Sequence, residues 1–328
     1  MADWIETWFS LGQEALFGAV VRPVMFAMGL GNLLEDGYVA TGWLLVGLLQ
    51  ILVMLAVIGP LQRWRPVEAV TDGASIRTDV VYTLIHRLGL FRVALFFSVD
   101  PLFNAAFGWL HGQGVGALHL DQLWPGVSDI PWVSFALYFL AFDFAQYWIH
   151  RGQHSVHAWW SLHALHHSQR QMTMWSDNRN HLLDDLVVDA LLVMLAQVIG
   201  VAPGQFVAIV AISQLCENLQ HANLRLAFGR WGERLWVSPR FHRRHHAVGI
   251  GHETRVAGDT PGLARKEVLG GCNFGVLLPW WDLMFGTANF EDCYDPTGLR
   301  DQVERGRDYG RGFWAQQWLG LKRLAGKA

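Results

Sequence analysis

Eight of the chain's fifteen histidines fall into three short clusters: His150-x3-His154, His163-x2-His166-His167 and His242-x2-His245-His246. At that histidine frequency roughly 0.03 copies of an H-x-x-H-H string are expected by chance, so two copies are a selected feature. On a helix, positions i, i+3 and i+4 lie within about a 100° arc, so each cluster would present its imidazoles in one direction. That is a metal-ligand pattern. Neutral imidazole suits iron, zinc, copper or nickel, and eight donors exceed the four a structural zinc takes, which points to two metals.

Other residues join this set by position. His221 stands four residues after Glu217, so on a continuing helix both face one way, and both are candidate ligands. His181, just ahead of a long apolar stretch, is a further candidate ligand. His86, His111, His119 and His252 have no partner at ligand spacing and are expected to be interfacial or hydrogen-bonded. Cys216, Cys272 and Cys293 form no C-x-x-C, which excludes a thiolate metal site of that kind and gives no disulfide framework.

The elements that must position these histidines are those of a membrane protein. Hydrophobic residues make up 52% of the chain and charged ones only 16%, with 17 Trp and 19 Phe. Expected spans are 43–59, 88–110, 131–148 and the apolar stretch 182–216, judged against the ~20 residues that cross a bilayer. The last is broken by Pro203-Gly204, which predicts a helical hairpin returning the chain to the side it left. Trp4, Ile5, Trp8 and Phe9 fit either an interfacial helix or one packed on the bundle. No cleaved signal peptide is expected at the N-terminus.

Of the 25 Lys and Arg, 23 lie in 61–87, 150–181 and 217–328, and none in 111–130, which makes the first three regions cytoplasmic by the positive-inside rule. All the histidine clusters then share one face of the membrane. With a net charge of −3 there is no global basic field, so nucleic acid is not an expected partner. Arg240, Arg243 and Arg244, interleaved with the last cluster, are expected on a solvated or headgroup-facing surface, or docking an acidic electron-transfer partner. Trp148, Trp159, Trp160, Trp175, Trp280 and Trp281 are expected mainly in packing and interface belts, or lining a substrate tunnel.

The order H-x3-H, H-x2-HH, lone His, H-x2-HH, with the strings DFAQYWIHRGQH, HALHHS, HANLRL and WWDLMFGT, resembles the fatty acid hydroxylase and sterol desaturase superfamily of integral-membrane di-metal oxygenases. The resemblance implies metal ligation by His150, His154, His163, His166, His167, His221, His242, His245 and His246. It implies that Asp143, seven residues before His150, orients an imidazole through its other ring N–H, and that Asn223 and Asn273 are polar supports. Glu217 stands where some members have another histidine.

The expected fold is all-α: a multi-pass transmembrane helical bundle with a cytoplasmic helical cap holding a His-rich di-metal site. The expected parts are N-terminal membrane-associated helices (1–130), a catalytic domain (131–290) and a C-terminal cytoplasmic tail (291–328). The resemblance implies two Fe2+ ions with O2 as co-substrate. The activity expected is hydroxylation or desaturation of a lipid, with sterol, fatty acyl chain, ether lipid, sphingoid base and carotenoid all compatible. No dinucleotide fingerprint follows a strand, so electrons are expected from a separate reductase, ferredoxin or cytochrome. A bacterial inner membrane is favoured over the endoplasmic reticulum, with the site on the cytoplasmic face. A metal transporter would place ligands at mid-membrane on broken helices, whereas these follow the apolar spans. A zinc hydrolase would show H-E-x-x-H, and His252-Glu253 lacks its second histidine.

Overall fold

The computed structural model describes residues 2–253 and 269–328, and among these the secondary structure is helical, with only two isolated β-bridges. The helices used below are α1 (Ala2–Leu16), α2 (Leu34–Val53), α3 (Gly73–Arg87), α4 (Leu90–Phe96), α5 (Asp100–Gly112), α6 (Pro131–Gln153), α7 (His157–His167), α8 (Leu182–Ile199), α9 (Pro203–Gln220), α10 (Pro239–His245), α11 (Trp280–Phe285) and α12 (Phe313–Leu324). The chain forms two compact units. One comprises Met1–Ala56 with Leu84–Gln113, the other Val57–Thr83 with Gly114–Ala328.

In the first unit α1 packs along α2. Gly47 of α2 lies directly against the Arg87 carbonyl, an approach that any Cβ would block. Two helical stretches are long and apolar enough to cross a bilayer, Gly31–Trp64 and Leu90–Gly112. They correspond to the expected spans 43–59 and 88–110. The other two expected spans are helices α6 and the α8–α9 hairpin, and among the described residues they do not join that set. The reason is polar content: α8 carries Asp184, Asp185 and Asp189, α9 ends in Glu-Asn-Leu-Gln, and α6 holds Asp143 and Gln146.

The second unit is built around the hairpin. Gly200 ends α8 in the left-handed region (φ 68°), and Pro203 opens α9 at a position where its missing N–H costs nothing. Tyr138 and Phe142 on α6 pack with Ile199 and Ile209 in a buried cluster that fixes the hairpin against α6. The Tyr138 hydroxyl donates to Asp121 (2.7 Å) and lies 3.1 Å from the Gly200 carbonyl, tying the hairpin's turn to the segment that precedes α6. Helix α12 lies along α7, so residues beyond 291 pack against a histidine-bearing helix.

Candidate metal centre

Helix α6 delivers His150 and, at its C-cap, His154; α7 carries His163, His166 and His167 in its last two turns. Helix α10, opened by Pro239 and capped by Ser238, whose hydroxyl accepts from the Phe241 N–H, carries His242 and His245 with His246 at its C-cap. His221 caps the C-terminus of α9. These elements bring the imidazoles into two groups of four, His150/His154/His167/His245 and His166/His221/His242/His246, whose nitrogen atoms lie within 4.8 Å of one another in each group.

Each H-x-x-H-H motif is split between the groups. His167 joins the first group and His166 the second; His245 joins the first and His246 the second. Adjacent residues on a helix point about 100° apart, so a His-His pair feeds two neighbouring centres instead of one. The expectation that each H-x-x-H-H cluster aims all its imidazoles in one direction is thereby corrected, while His150 and His154 do converge on one group. The groups abut, with the His167 and His246 rings stacked at 4.3 Å between centroids.

The donor atoms are prepared for a cation. His150 Nδ1 lies 2.9 Å from the Phe274 carbonyl, His245 Nδ1 2.8 Å from that of Cys272, and His221 Nδ1 2.8 Å from that of Glu217. A carbonyl only accepts, so each Nδ1 carries the proton and each Nε2 keeps a lone pair. In the second group the Nε2 atoms of His166 and His221, His221 and His242, and His242 and His246 are 3.1, 3.0 and 3.2 Å apart. Ligands about 2.0 to 2.1 Å from one tetrahedral centre would sit roughly 3.3 Å apart, close to this spacing. In the first group both ring nitrogens of His154 and His167, and Nε2 of His245, are buried with no protein hydrogen-bond partner. Such orphaned atoms are costly unless something positive meets them. Burial first, and neighbouring imidazoles second, hold His154, His166, His167, His242, His245 and His246 well below the ordinary histidine range, and bring His150 to about 3. The set is therefore neutral at pH 7, and its donors fit two soft-to-borderline divalent ions.

His163 stands beside both groups. Its Nδ1 is 3.0 Å from Asp184 Oδ2, and its Nε2 is buried and unpartnered. Asp184 also accepts from Gln153 (2.8 Å) and the Trp159 indole (2.6 Å), so it fixes His163 through a fully engaged carboxylate. Glu217 enters through its main chain, as the His221 acceptor, while its carboxylate is not among the grouped donors. The carboxylate beside His221 is Asp177, 3.5 Å from Nδ1. Neither Asp177 nor Asp184 was singled out in the sequence. For Asp184 the available signal was the Asp184-Asp185 pair in an apolar stretch, which needs buried partners; Asp177 carries no such signal.

Asp143 does not touch an imidazole. It accepts from the Leu277 and Leu278 N–H groups (2.9 and 3.2 Å) and the Trp281 indole (2.8 Å). With Asp282, which accepts from Phe274 N–H (2.9 Å), it holds the loop whose Phe274 carbonyl orients His150. Asn273, in the left-handed region at φ 60°, donates to the Phe241 and Asn289 carbonyls (2.9 and 3.0 Å) and so braces α10. Asn223 binds the 67–68 backbone. His181 is a helix cap: Nδ1 accepts from Leu183 N–H (3.1 Å) and Nε2 donates to the Gln317 carbonyl (2.9 Å), so both nitrogens are engaged away from the grouped donors. The arginines of α10 are buried, not solvated. Arg240 pairs with Glu233, Arg243 with Glu68 (2.7 Å) and Arg244 with Asp295 (2.5 Å), because α10 lies beneath the 290–295 segment. His252 is also buried, its ring stacked on Trp160 at 5.5 Å and near His167 at 5.9 Å.

Residues 135–287 match the fatty acid hydroxylase family. An ornithine lipid hydroxylase of Rhizobium tropici is 25% identical over 236 residues, covering 71% of this chain and 64% of that protein. Alkylglycerol monooxygenases of Caenorhabditis elegans and Xenopus tropicalis are each 26% identical, over 52% and 53% of this chain and 30% and 36% of their own lengths. The chain thus spans less than two thirds of each of these relatives. No solved structure matches it significantly.

Proposed function

We propose that this chain, a member of the fatty acid hydroxylase superfamily through residues 135–287, is a membrane-bound oxygenase that hydroxylates a lipid at a site built for two iron ions. The observation that carries the reading is the pair of abutting four-histidine groups sharing both H-x-x-H-H motifs. His163, held by Asp184, supplies a ninth imidazole. Bound iron would supply what no side chain here can, reduction of O2 and attack on an unactivated C–H bond.

The chain's own residues hold and aim. Main-chain carbonyls at Phe274, Cys272 and Glu217 fix three tautomers, and Asp143 with Asp282 fixes the loop presenting the first of them. The overall reaction is R–H + O2 + 2 e⁻ + 2 H⁺ → R–OH + H2O, and the electrons come from a separate reductase, ferredoxin or cytochrome. Desaturation draws on the same oxidant but leaves an alkene. The named activities of the relatives, an ornithine lipid hydroxylase and two alkylglycerol monooxygenases, favour hydroxylation of a polar-headed lipid. The apolar stretches Gly31–Trp64 and Leu90–Gly112 support membrane residence, and the lysine and arginine bias supports a site on the cytoplasmic face of a bacterial inner membrane.

The test is expression of the full chain with lipid extraction and metal analysis, against His166→Ala. Two irons per chain and a lipid product one oxygen heavier are expected, with the iron content lowered and the product lost in the variant. Stoichiometric zinc with no oxygenated lipid would refute the proposal.

A further inference from the structure

Helix α12 is inside out. Its protein-facing side is polar: Gln316, Gln317, Gly320 and Arg323 are buried. Its outer side is apolar, with Trp314 80% and Trp318 59% exposed, joined by Leu321 and Leu324. On a helix, positions 314, 318 and 321 share one face, so this is a continuous strip.

The inward face is anchored at Gln317 and Arg323, so the helix is not free to roll. Gln317 accepts from Leu182 N–H (2.9 Å) and donates to the Tyr82 hydroxyl (2.9 Å) and Asn180 carbonyl (3.1 Å). Arg323 donates to the Ser161 carbonyl of α7 (3.1 Å) and lies over the Tyr309 ring at 4.5 Å. Gly320 sits against the His181 ring, where a side chain would not fit. A soluble helix puts its apolar stripe inward; the reverse arrangement is stable where the outer medium is apolar or interfacial.

The charge around the strip identifies that medium. From Tyr309 to Ala328 the chain holds Arg311, Lys322, Arg323 and Lys327 and no Glu, and its one Asp is Asp308's neighbour outside this stretch. Lys322 extends over the Trp318 ring at 5.7 Å, an ammonium carried beside an exposed indole. Tryptophan flanked by lysine is the pairing that settles at the headgroup level of a bilayer, the indole among acyl-chain ends and the ammonium among phosphates. We propose that the outer face of α12 is a second membrane contact, lying in the interface of a bilayer that contains anionic lipid. The proposal rests on the membrane reading of the chain and not on the metal chemistry, so the two fail separately.

The test uses the full chain in nanodiscs of phosphatidylcholine and phosphatidylglycerol, with Trp318→p-benzoylphenylalanine irradiated and adducts identified by mass spectrometry. Leu52→p-benzoylphenylalanine, at an exposed position of the Gly31–Trp64 helix, gives the lipid-facing reference. Expected are lipid adducts at both positions, with phosphatidylglycerol enriched at 318 only. Lys322→Glu with Lys327→Glu should cut that enrichment by at least about fivefold for each reversed charge. Labelling at 52 without labelling at 318 would overturn the proposal. So would cross-linking of 318 to a second copy of the chain, or an enrichment indifferent to both charge reversals.

Discussion

Replacing Asp184 by asparagine isolates what a single buried carboxylate does for the proposed metal centre. The side chain is 1% exposed, with Gln153 and Trp159 donating to one oxygen and His163 Nδ1 facing the other. Asparagine keeps the shape, but its amide has one acceptor and one donor end. The carbonyl end must stay with Gln153 and Trp159, because turning it would set an NH2 against two donors. The NH2 then meets His163 Nδ1, which has to become an acceptor and pass its proton to Nε2. A protonated Nε2 has no lone pair for a metal. Loss of an outer partner of this kind costs about 10- to 100-fold in metal affinity, or about 1.4 to 2.7 kcal/mol. Asp184→Asn should therefore match His163→Ala in iron retained after equilibration against a graded chelator, while the folded yield in detergent stays near that of the parent. Full retention in Asp184→Asn alongside loss in His163→Ala would show that the carboxylate does not set the tautomer. Full retention in both would remove His163 from the ligand set.

Further outcomes follow from the same contacts. Asp143→Asn leaves one buried N–H of the 277–278 backbone without an acceptor, a cost of about 1 to 3 kcal/mol; a urea or thermal titration unchanged from the parent would refute its role in holding the loop. His181→Ala should leave iron content intact and lower stability by about 1 kcal/mol through loss of the α8 cap, and loss of iron instead would restore His181 as a ligand. Asp177→Asn should weaken iron binding more than Glu217→Gln, since Asp177 is the carboxylate beside His221; the reverse order in a competition titration would return Glu217 to the coordination sphere. Burial, only partly offset by Glu253 and Asp301, brings His252 down to about 4, and burial holds the grouped histidines below their ordinary range. The unfolded chain binds protons below about pH 6.5 where the folded chain does not, so stability present above that pH falls between 6.5 and 4, by about 1.4 kcal/mol per pH unit for each such histidine. A melting temperature of the metal-free protein that is flat from pH 7 to pH 5 would contradict this.

The histidine spacings were legible because gathering imidazoles demands particular residues at helical intervals, and the Pro203-Gly204 break announced the hairpin for equally local reasons. What was not legible depends on contacts between distant segments. Asp143 was placed correctly on the helix of His150, but its partners at Leu277, Leu278 and Trp281 lie more than 130 positions away. His181 has the composition of a ligand and the position of a cap, and the choice was made by Gln317 on a helix with no sequence link to it. The α10 arginines looked solvated because nothing local announces that Glu233, Glu68 and Asp295 will converge on them. Span prediction met a related limit. An apolar average marks 182–216 as membrane-like, yet Asp184 is there to serve a histidine on another helix.

The split of each His-His pair has a consequence for how the centre tolerates change. In a protein with two independent metal sites, a helix can shift and disturb one alone. Here α7 gives His167 to one group and His166 to the other, while α10 and its C-cap give His245 and His246 likewise. A rotation of either helix that improves one site must therefore degrade its neighbour. The two helices are accordingly held from outside, α7 through Asp184 and the Arg323 contact to Ser161, and α10 through Ser238, Asn273 and three buried arginine pairs. Much of the buried polarity around the histidines thus acts on helix orientation, and variants of these braces should lower occupancy of both sites together. Replacing His221, whose helix serves one group only, should instead empty that group first.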